Sequence, residues 1–140
     1  MKSFDLNKYL GEWYEIGRIP NKFEPNMINV SAKYILQSDG NIKVINSGYI
    51  NGKLIRIVGE AIPTDLNTTL LVSFDFKNYS EYNILYVNSD YTKALVGGEF
   101  EDKLWILSRN PSMNKNNIDE LLYLAENKGY DVNKFIITTK

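Results

Sequence analysis

The sequence predicts an all-β fold, an eight-stranded antiparallel up-and-down β-barrel with one C-terminal α-helix packed on its wall and a short final strand. Eight short runs of apolar or alternating residues, separated by turn signals, follow one another from residue 12 to residue 108. Short connections make neighbours pair in order, and closure into a barrel leaves no exposed edge strand. With 140 residues, residues 1–140 form a single domain.

The eight runs share β-branched and aromatic residues and are bounded by Gly, Asn, Asp, Ser or Pro. Turn residues such as those of Asn51-Gly52 fix the connections as tight antiparallel turns. The stretch from Pro20 to Asn29 holds two prolines and three asparagines and is predicted to be a loop over one end of the barrel. The predicted strands are Glu12–Ile19, Val30–Leu36, Ile42–Ile50, Leu54–Ile62, Thr69–Phe76, Tyr82–Val87, Lys93–Phe100 and Lys103–Ser108.

After Asn110-Pro111 the apolar period changes from two to about 3.6, which predicts a helix over Lys115–Asn127. Its apolar stripe is expected to dock on the barrel wall. Lys128-Gly129 ends the helix in the usual way, and the segment from Phe135 to Ile137 is predicted to be the last short strand.

Composition excludes several classes of function. The chain has 16 basic and 17 acidic residues, a net charge of −1, and therefore no polycationic face for nucleic acid. It contains no His and no Cys, so a histidine base, a thiol nucleophile, a disulfide and a His/Cys metal site are all absent. The carboxylates in predicted turns are interpreted as solvated, and we expect no cofactor and no metal.

Two motifs carry a resemblance to a known family. The segment from Asp5 to Ile16 contains Gly11-Glu12-Trp13, which resembles the Gly-x-Trp of the lipocalins, followed by Tyr14-Glu15-Ile16. About a hundred residues later, the segment from Leu104 to Pro111 resembles the family's third motif, with Arg109 at the position of its arginine. The resemblance covers nearly the whole chain and is closest to the bacterial outer-membrane lipocalins and apolipoprotein D.

The resemblance implies a binding protein and not an enzyme. We expect a small hydrophobic ligand, a fatty acid or a lysophospholipid, bound tail down for transport or storage. The alternatives are a lipocalin-type isomerase, against which the missing thiol argues, and a pigment or haem carrier with only Tyr or Met as iron ligands. The partners expected are this ligand and no nucleic acid, in a monomer or homodimer.

Strand alternation, anchored on the lipocalin motifs, divides each strand into inward and outward residues. From the pattern alone, large inward side chains could equally fill the barrel or line a cavity; the resemblance favours the cavity. The resemblance implies that Trp13 and Arg109 close the barrel's narrow end through a cation–aromatic contact. The predicted ligand-binding residues are Tyr34, Val44, Asn46, Gly48, Ile57, Gly59, Ala61, Val72, Phe74, Phe76, Tyr82, Ile84, Tyr86, Ala94, Val96, Trp105 and Leu107.

The sequence shows no apolar segment long enough for a membrane span. We expect a soluble chain whose membrane contact requires a leader or anchor outside this sequence. The resemblance implies the bacterial cell envelope, either outer membrane or periplasm, and a native start at Met1 would imply the cytoplasm.

Overall fold

The computed structural model describes residues 4–20, 27–100 and 102–139. A one-turn helix, α1 (Leu6–Tyr9), leads into the first strand. The strands that form the barrel are β1 (Gly11–Arg18), β2 (Ile28–Leu36), β3 (Ile42–Ile50), β4 (Lys53–Pro63), β5 (Thr69–Ser73), β6 (Ser80–Val87), β7 (Lys93–Gly97) and β8 (Leu104–Ser108). Helix α2 (Lys115–Asn127), a 3₁₀ turn (Val132–Lys134) and β9 (Ile136–Ile137) follow.

The strands form a closed antiparallel barrel. Each strand from β2 to β8 pairs with its neighbours in chain order, and β1 pairs with both β8 and β2. Strand β9 pairs with the C-terminal end of β1, where Arg18 lies opposite Ile136. The predicted fold class is confirmed.

An up-and-down barrel has two distinct ends, which we call the floor and the rim. The floor contains α1 and the β2–β3, β4–β5 and β6–β7 connections, and the rim contains the β3–β4 and β5–β6 connections. Two hydrogen bonds tie α1 to the floor connections: the main-chain NH of Asp5 donates to Tyr91 Oη at 2.8 Å, and Asn67 Nδ2 donates to the Phe4 carbonyl at 3.4 Å.

Helix α2 lies on the outside of the barrel wall. Its buried residues, Leu121 and Ala125, pack with Ile16, Leu95 and Ile106 in an apolar cluster that is separate from the barrel interior. The Asn114 side chain caps the helix by accepting from the main-chain NH of Asn117 at 2.9 Å. Its bounds match the predicted helix, and the predicted docking on the wall is confirmed.

The fifth strand is shorter than predicted. It ends at Ser73 because Asp75 organises a turn, accepting from the main-chain NH groups of Lys77 and Asn78, each at 2.8 Å. Phe76 lies in this turn with a positive φ of 61°. Thus Phe74 and Phe76 are not strand residues.

The sixth strand contains a β-bulge that the sequence pattern missed. The register shifts between Ile84 and Tyr86, so that Tyr86 lies opposite Leu95 and packs in the outer cluster beneath α2. Val87 takes the inward position and contacts the interior cluster. The prediction that Tyr86 faces inward is wrong, since one extra residue reverses the alternation of a strand.

The predicted loop from Pro20 to Asn29 ends earlier than expected. Strand β2 begins at Ile28, so Ile28 and Asn29 belong to the sheet. Residues 21–26, the centre of this loop, lie outside the described residues.

Candidate functional site

The inner face of the barrel forms an apolar lumen. Opposite residues of paired strands share a face, so the register assigns each inward side chain. The predicted residues that the structure places on this inner face are Tyr34, Val44, Asn46, Gly48, Ile57, Gly59, Ala61, Val72, Tyr82, Ile84, Ala94, Val96, Trp105 and Leu107.

Several inward side chains keep accessible surface although strands surround them. Asn46, Val72, Tyr82 and Trp105 are each partly accessible. A side chain on the inner face of a closed barrel can be accessible only from the lumen or its mouth. These four side chains therefore present surface on the inner face that the rest of the described chain does not cover.

Asn46 offers the lumen an unused amide. It lies midway along β3, between Ala32 of β2 and Ile57 of β4. In the described part of the chain, no residue hydrogen-bonds its side chain, and that side chain is partly accessible. An amide that lacks a protein partner can hydrogen-bond a ligand or water.

The two inward glycines do not enlarge the lumen. A Cβ at Gly48 would lie 2.6 Å from Met27 Cε, and one at Gly59 would lie 2.5 Å from the Phe74 ring. Glycine is needed at both positions because another side chain packs against the backbone there. Met27 and Phe74 occupy the volume beside these glycines.

Three of the predicted pocket residues remain exposed. Ile57 is 37% exposed, Phe74 41% and Phe76 56%. Phe74 packs over Gly59, whereas Phe76 is at the turn formed by Asp75. Phe74 and Phe76 therefore do not belong to the strands that enclose the lumen, whereas Ile57 lies on the inner face opposite Asn46.

Tyrosine hydroxyls meet at the floor. Tyr9 Oη lies 2.5 Å from Tyr82 Oη, and Tyr34 Oη donates to Tyr82 Oη at 3.1 Å. The Tyr34 and Tyr82 rings pack edge to face at 5.9 Å, and Tyr9 packs on Trp13 at 5.0 Å. Burial raises the pKa of both Tyr9 and Tyr82 well above the usual value, so both stay protonated at neutral pH.

Beneath the tyrosines, Arg109 clamps α1 to the barrel. Its guanidinium carbon lies 3.8 Å from the centroid of the Trp13 ring, so the predicted stacking is present. Trp13 is fully buried, and its indole NH donates to the Tyr9 carbonyl at 2.7 Å. The guanidinium also lies 2.8–3.1 Å from five main-chain carbonyls, those of Lys8, Tyr9, Leu10, Glu12 and Tyr91.

A buried ion pair lies on the inner face of β1. Arg18 Nη1 is 2.7 Å from Glu15 Oε2, and Thr138 Oγ1 donates to the same oxygen at 2.7 Å. All three residues are less than 5% exposed. A bulge between Glu15 and Gly17 puts Arg18 on the same face as Glu15. The network joins the C-terminal segment to the barrel interior.

Sequence reasoning missed several interior residues. Ala32 and Ile42 alternate with predicted inward residues, and Glu15 alternates with Trp13, so the period-two pattern could have found all three. Nothing in the pattern indicates that Tyr9, on α1, reaches Tyr82, or that a bulge turns Arg18 inward.

The fold is a closed antiparallel barrel with a helix packed on its wall and a floor closed by α1, which is the architecture of a class of small single-domain barrels. The sequence matches the Lipocalin-like domain family over residues 4–140. The chain belongs to this family, whose members typically bind small hydrophobic ligands.

Individual relatives are similar to this chain in sequence, and solved structures are similar to it in fold. The outer membrane lipoprotein Blc of Escherichia coli K12 is 41% identical over 140 residues, covering 97% of this chain and 79% of Blc. Apolipoprotein D of Bos taurus is 30% identical over 151 residues, covering 98% and 77%. The crystal structure of lobster apocrustacyanin A1 superposes with a TM-score of 0.79 at 17% identity, over 96% of this chain and 78% of that one, and shows likeness of fold.

Among the described residues, no helix has both the length and the apolar character needed to cross a bilayer.

Proposed function

We propose that this protein binds a fatty acid or a lysophospholipid in the barrel lumen, for transport or storage. The observation that carries the proposal is a lumen enclosed by apolar residues whose inner side chains are still accessible. Ligand sites are usually concave and mostly apolar, with a few polar groups that orient the ligand.

The apolar lining suits an acyl chain. Val44, Ile84, Val96 and Leu107 surround the interior, and Trp105 adds an accessible aromatic surface. Each buried methylene contributes about 0.8 kcal/mol, so a long tail alone is enough for about micromolar affinity before the cost of association. The contribution of the tail exceeds that of any single polar contact.

Asn46 supports a ligand with a polar head. Its amide lies halfway between floor and rim and has no hydrogen-bond partner within the described residues. With the tail inserted toward the floor, head oxygens of a fatty acid or lysophospholipid would pass this amide. We assign Asn46 the role of orienting the head.

The chain lacks the thiol that a thiol-dependent isomerase requires. A pigment or haem carrier is distinguished from a lipid carrier by an absorbance scan of the purified protein.

Because outer-membrane lipoproteins are among the relatives, we infer that this protein works in the bacterial envelope.

Tryptophan fluorescence tests the proposal. Trp105 lies on the inner face and is partly accessible, whereas Trp13 is fully buried beneath the floor tyrosines. Titration with oleate or lysophosphatidylcholine should change the emission of wild type and of Trp13→Phe, and change that of Trp105→Phe much less. Native mass spectrometry on each variant measures binding independently of fluorescence. An unchanged emission response in Trp105→Phe, with binding intact, would contradict the assignment of the lumen as the site.

A further inference from the structure

The floor of the lumen holds three hydroxyl groups with different access to a ligand. Tyr9 is fully buried and Tyr34 is 6% exposed. Tyr82 sits on the inner face of β6 opposite Leu70 and keeps accessible surface. Of the three phenols, Tyr82 is therefore the one best placed to meet the deep end of a molecule in the lumen.

The positions of the three hydroxyl protons show which tyrosine can donate a hydrogen bond to a ligand. A phenol carries one proton and two lone pairs. Tyr34 donates its proton to Tyr82. Either hydroxyl of the Tyr9–Tyr82 pair can be the donor. Tyr9 has no accessible surface, and within the described chain its hydroxyl has no other partner, so we take Tyr9 as the donor because this arrangement leaves no buried proton unpaired. Tyr82 then accepts twice, and no described residue accepts its own proton.

We infer that Tyr82 is a specificity-determining residue that donates a hydrogen bond to a neutral oxygen at the deep end of the ligand. The ligand class is an acyl chain that carries a keto or epoxide oxygen toward its methyl end. This inference rests on the proposed function, because it requires an acyl ligand that enters tail first. Tyr9 and Tyr34 are positioning residues, since they fix Tyr82 through its two lone pairs.

The geometry favours a neutral oxygen over a charged group. A carboxylate requires several donors and loses strong hydration on burial, whereas one free donor satisfies one keto oxygen. A hydroxyl that accepts two hydrogen bonds is also polarised into a better donor. An unsubstituted tail would leave the donor unpaired, and sites built to hydrogen-bond a ligand discriminate against analogues that lack the partner atom.

The test compares palmitic acid with two palmitic acids that carry one keto group, at mid-chain or at the penultimate carbon. Binding is measured by titration calorimetry on wild type, Tyr82→Phe and Tyr86→Phe. Tyr86 is the matched control, because it is on the same strand but packs outside the barrel. We expect wild type and Tyr86→Phe to prefer a keto acid over palmitic acid, and the preference to fall about tenfold in Tyr82→Phe, as expected for one hydrogen bond.

Two further measurements separate a direct hydrogen bond from a structural effect. The infrared stretch of an isotope-labelled keto group should shift to lower frequency in wild type and not in Tyr82→Phe. Tyr9→Phe removes one hydrogen bond that positions Tyr82 but leaves the Tyr82 proton, so this variant should reduce the keto preference less than Tyr82→Phe does.

Wild-type protein that binds palmitic acid without preferring either keto acid overturns the inference and leaves the proposed function standing. A preference that survives Tyr82→Phe also overturns it. Failure of wild type to bind palmitic acid, both keto acids and lysophosphatidylcholine would overturn the proposed function and the inference together.

Discussion

Arg109→Met removes the guanidinium clamp from the floor while keeping most of the apolar side-chain stem. Of its five carbonyl partners, those of Tyr9, Leu10 and Tyr91 are partly buried, and loss of each bond costs about 1 kcal/mol. The exposed carbonyls of the other two can bind water instead. The contact with the Trp13 ring adds about 0.5–2 kcal/mol. The free energy of unfolding should therefore fall by about 3–5 kcal/mol.

Denaturant titration measures this loss, and a thermal melt should show a decrease of about 10 °C in Tm. Arg56→Met is the control. Arg56 is exposed on the outer face of β4, so the free energy of unfolding of this variant should stay within about 0.5 kcal/mol of wild type. Trp13→Ala should lower the free energy of unfolding by about 3–5 kcal/mol, as core aromatic truncations do. Lipid affinity should be nearly normal in variants that remain folded. The reasoning is refuted if Arg109→Met is as stable as Arg56→Met, or if it is stable but binds no lipid.

Three further predictions concern other parts of the molecule. Asn46→Leu should leave Tm nearly unchanged and weaken lysophospholipid binding about tenfold in a lipid titration, for a lost hydrogen bond of ~1.4 kcal/mol; unchanged affinity would exclude Asn46 as the head contact. Leu121→Ala should lower the free energy of unfolding by about 2–5 kcal/mol, because this side chain is 1% exposed between α2 and the wall, whereas Tyr123→Ala, at a position 65% exposed, should change it little. Hydrogen bonds from Asn78, Lys77 and Ser73 hold the pKa of Asp75 well below its usual value. The charged carboxylate therefore stabilises the turn completely at any pH above the ordinary carboxyl pKa, and this stabilisation is lost as acid protonates the carboxylate. The Tm difference between wild type and Asp75→Asn should thus be largest at neutral pH and shrink as the pH falls; a constant difference would contradict the role of the charge.

The sequence by itself determined the strands, the helix and most of the inner face. Period-two alternation puts Val44 and Asn46 on the same face, because side chains of a strand alternate strictly. The 3.6-residue period gave helix Lys115–Asn127 with its observed bounds, and Gly129 follows it with a positive φ of 101°. These features depend on neighbours in the chain, so local residue patterns suffice to predict them.

Only the tertiary structure decided the bulge in β6 and the details of the floor. From Ile84 to Val87 the strand is apolar or aromatic on both faces, since its outer face packs in the cluster beneath α2, and such a run cannot locate an extra residue. Tyr9 reaches Tyr82 across 73 residues of sequence, and Tyr34 reaches it across 48. Whether Gly48 leaves space or receives Met27 depends likewise on which side chain the closed barrel brings to it. Such contacts follow from barrel closure and close packing, which join residues that no local pattern relates.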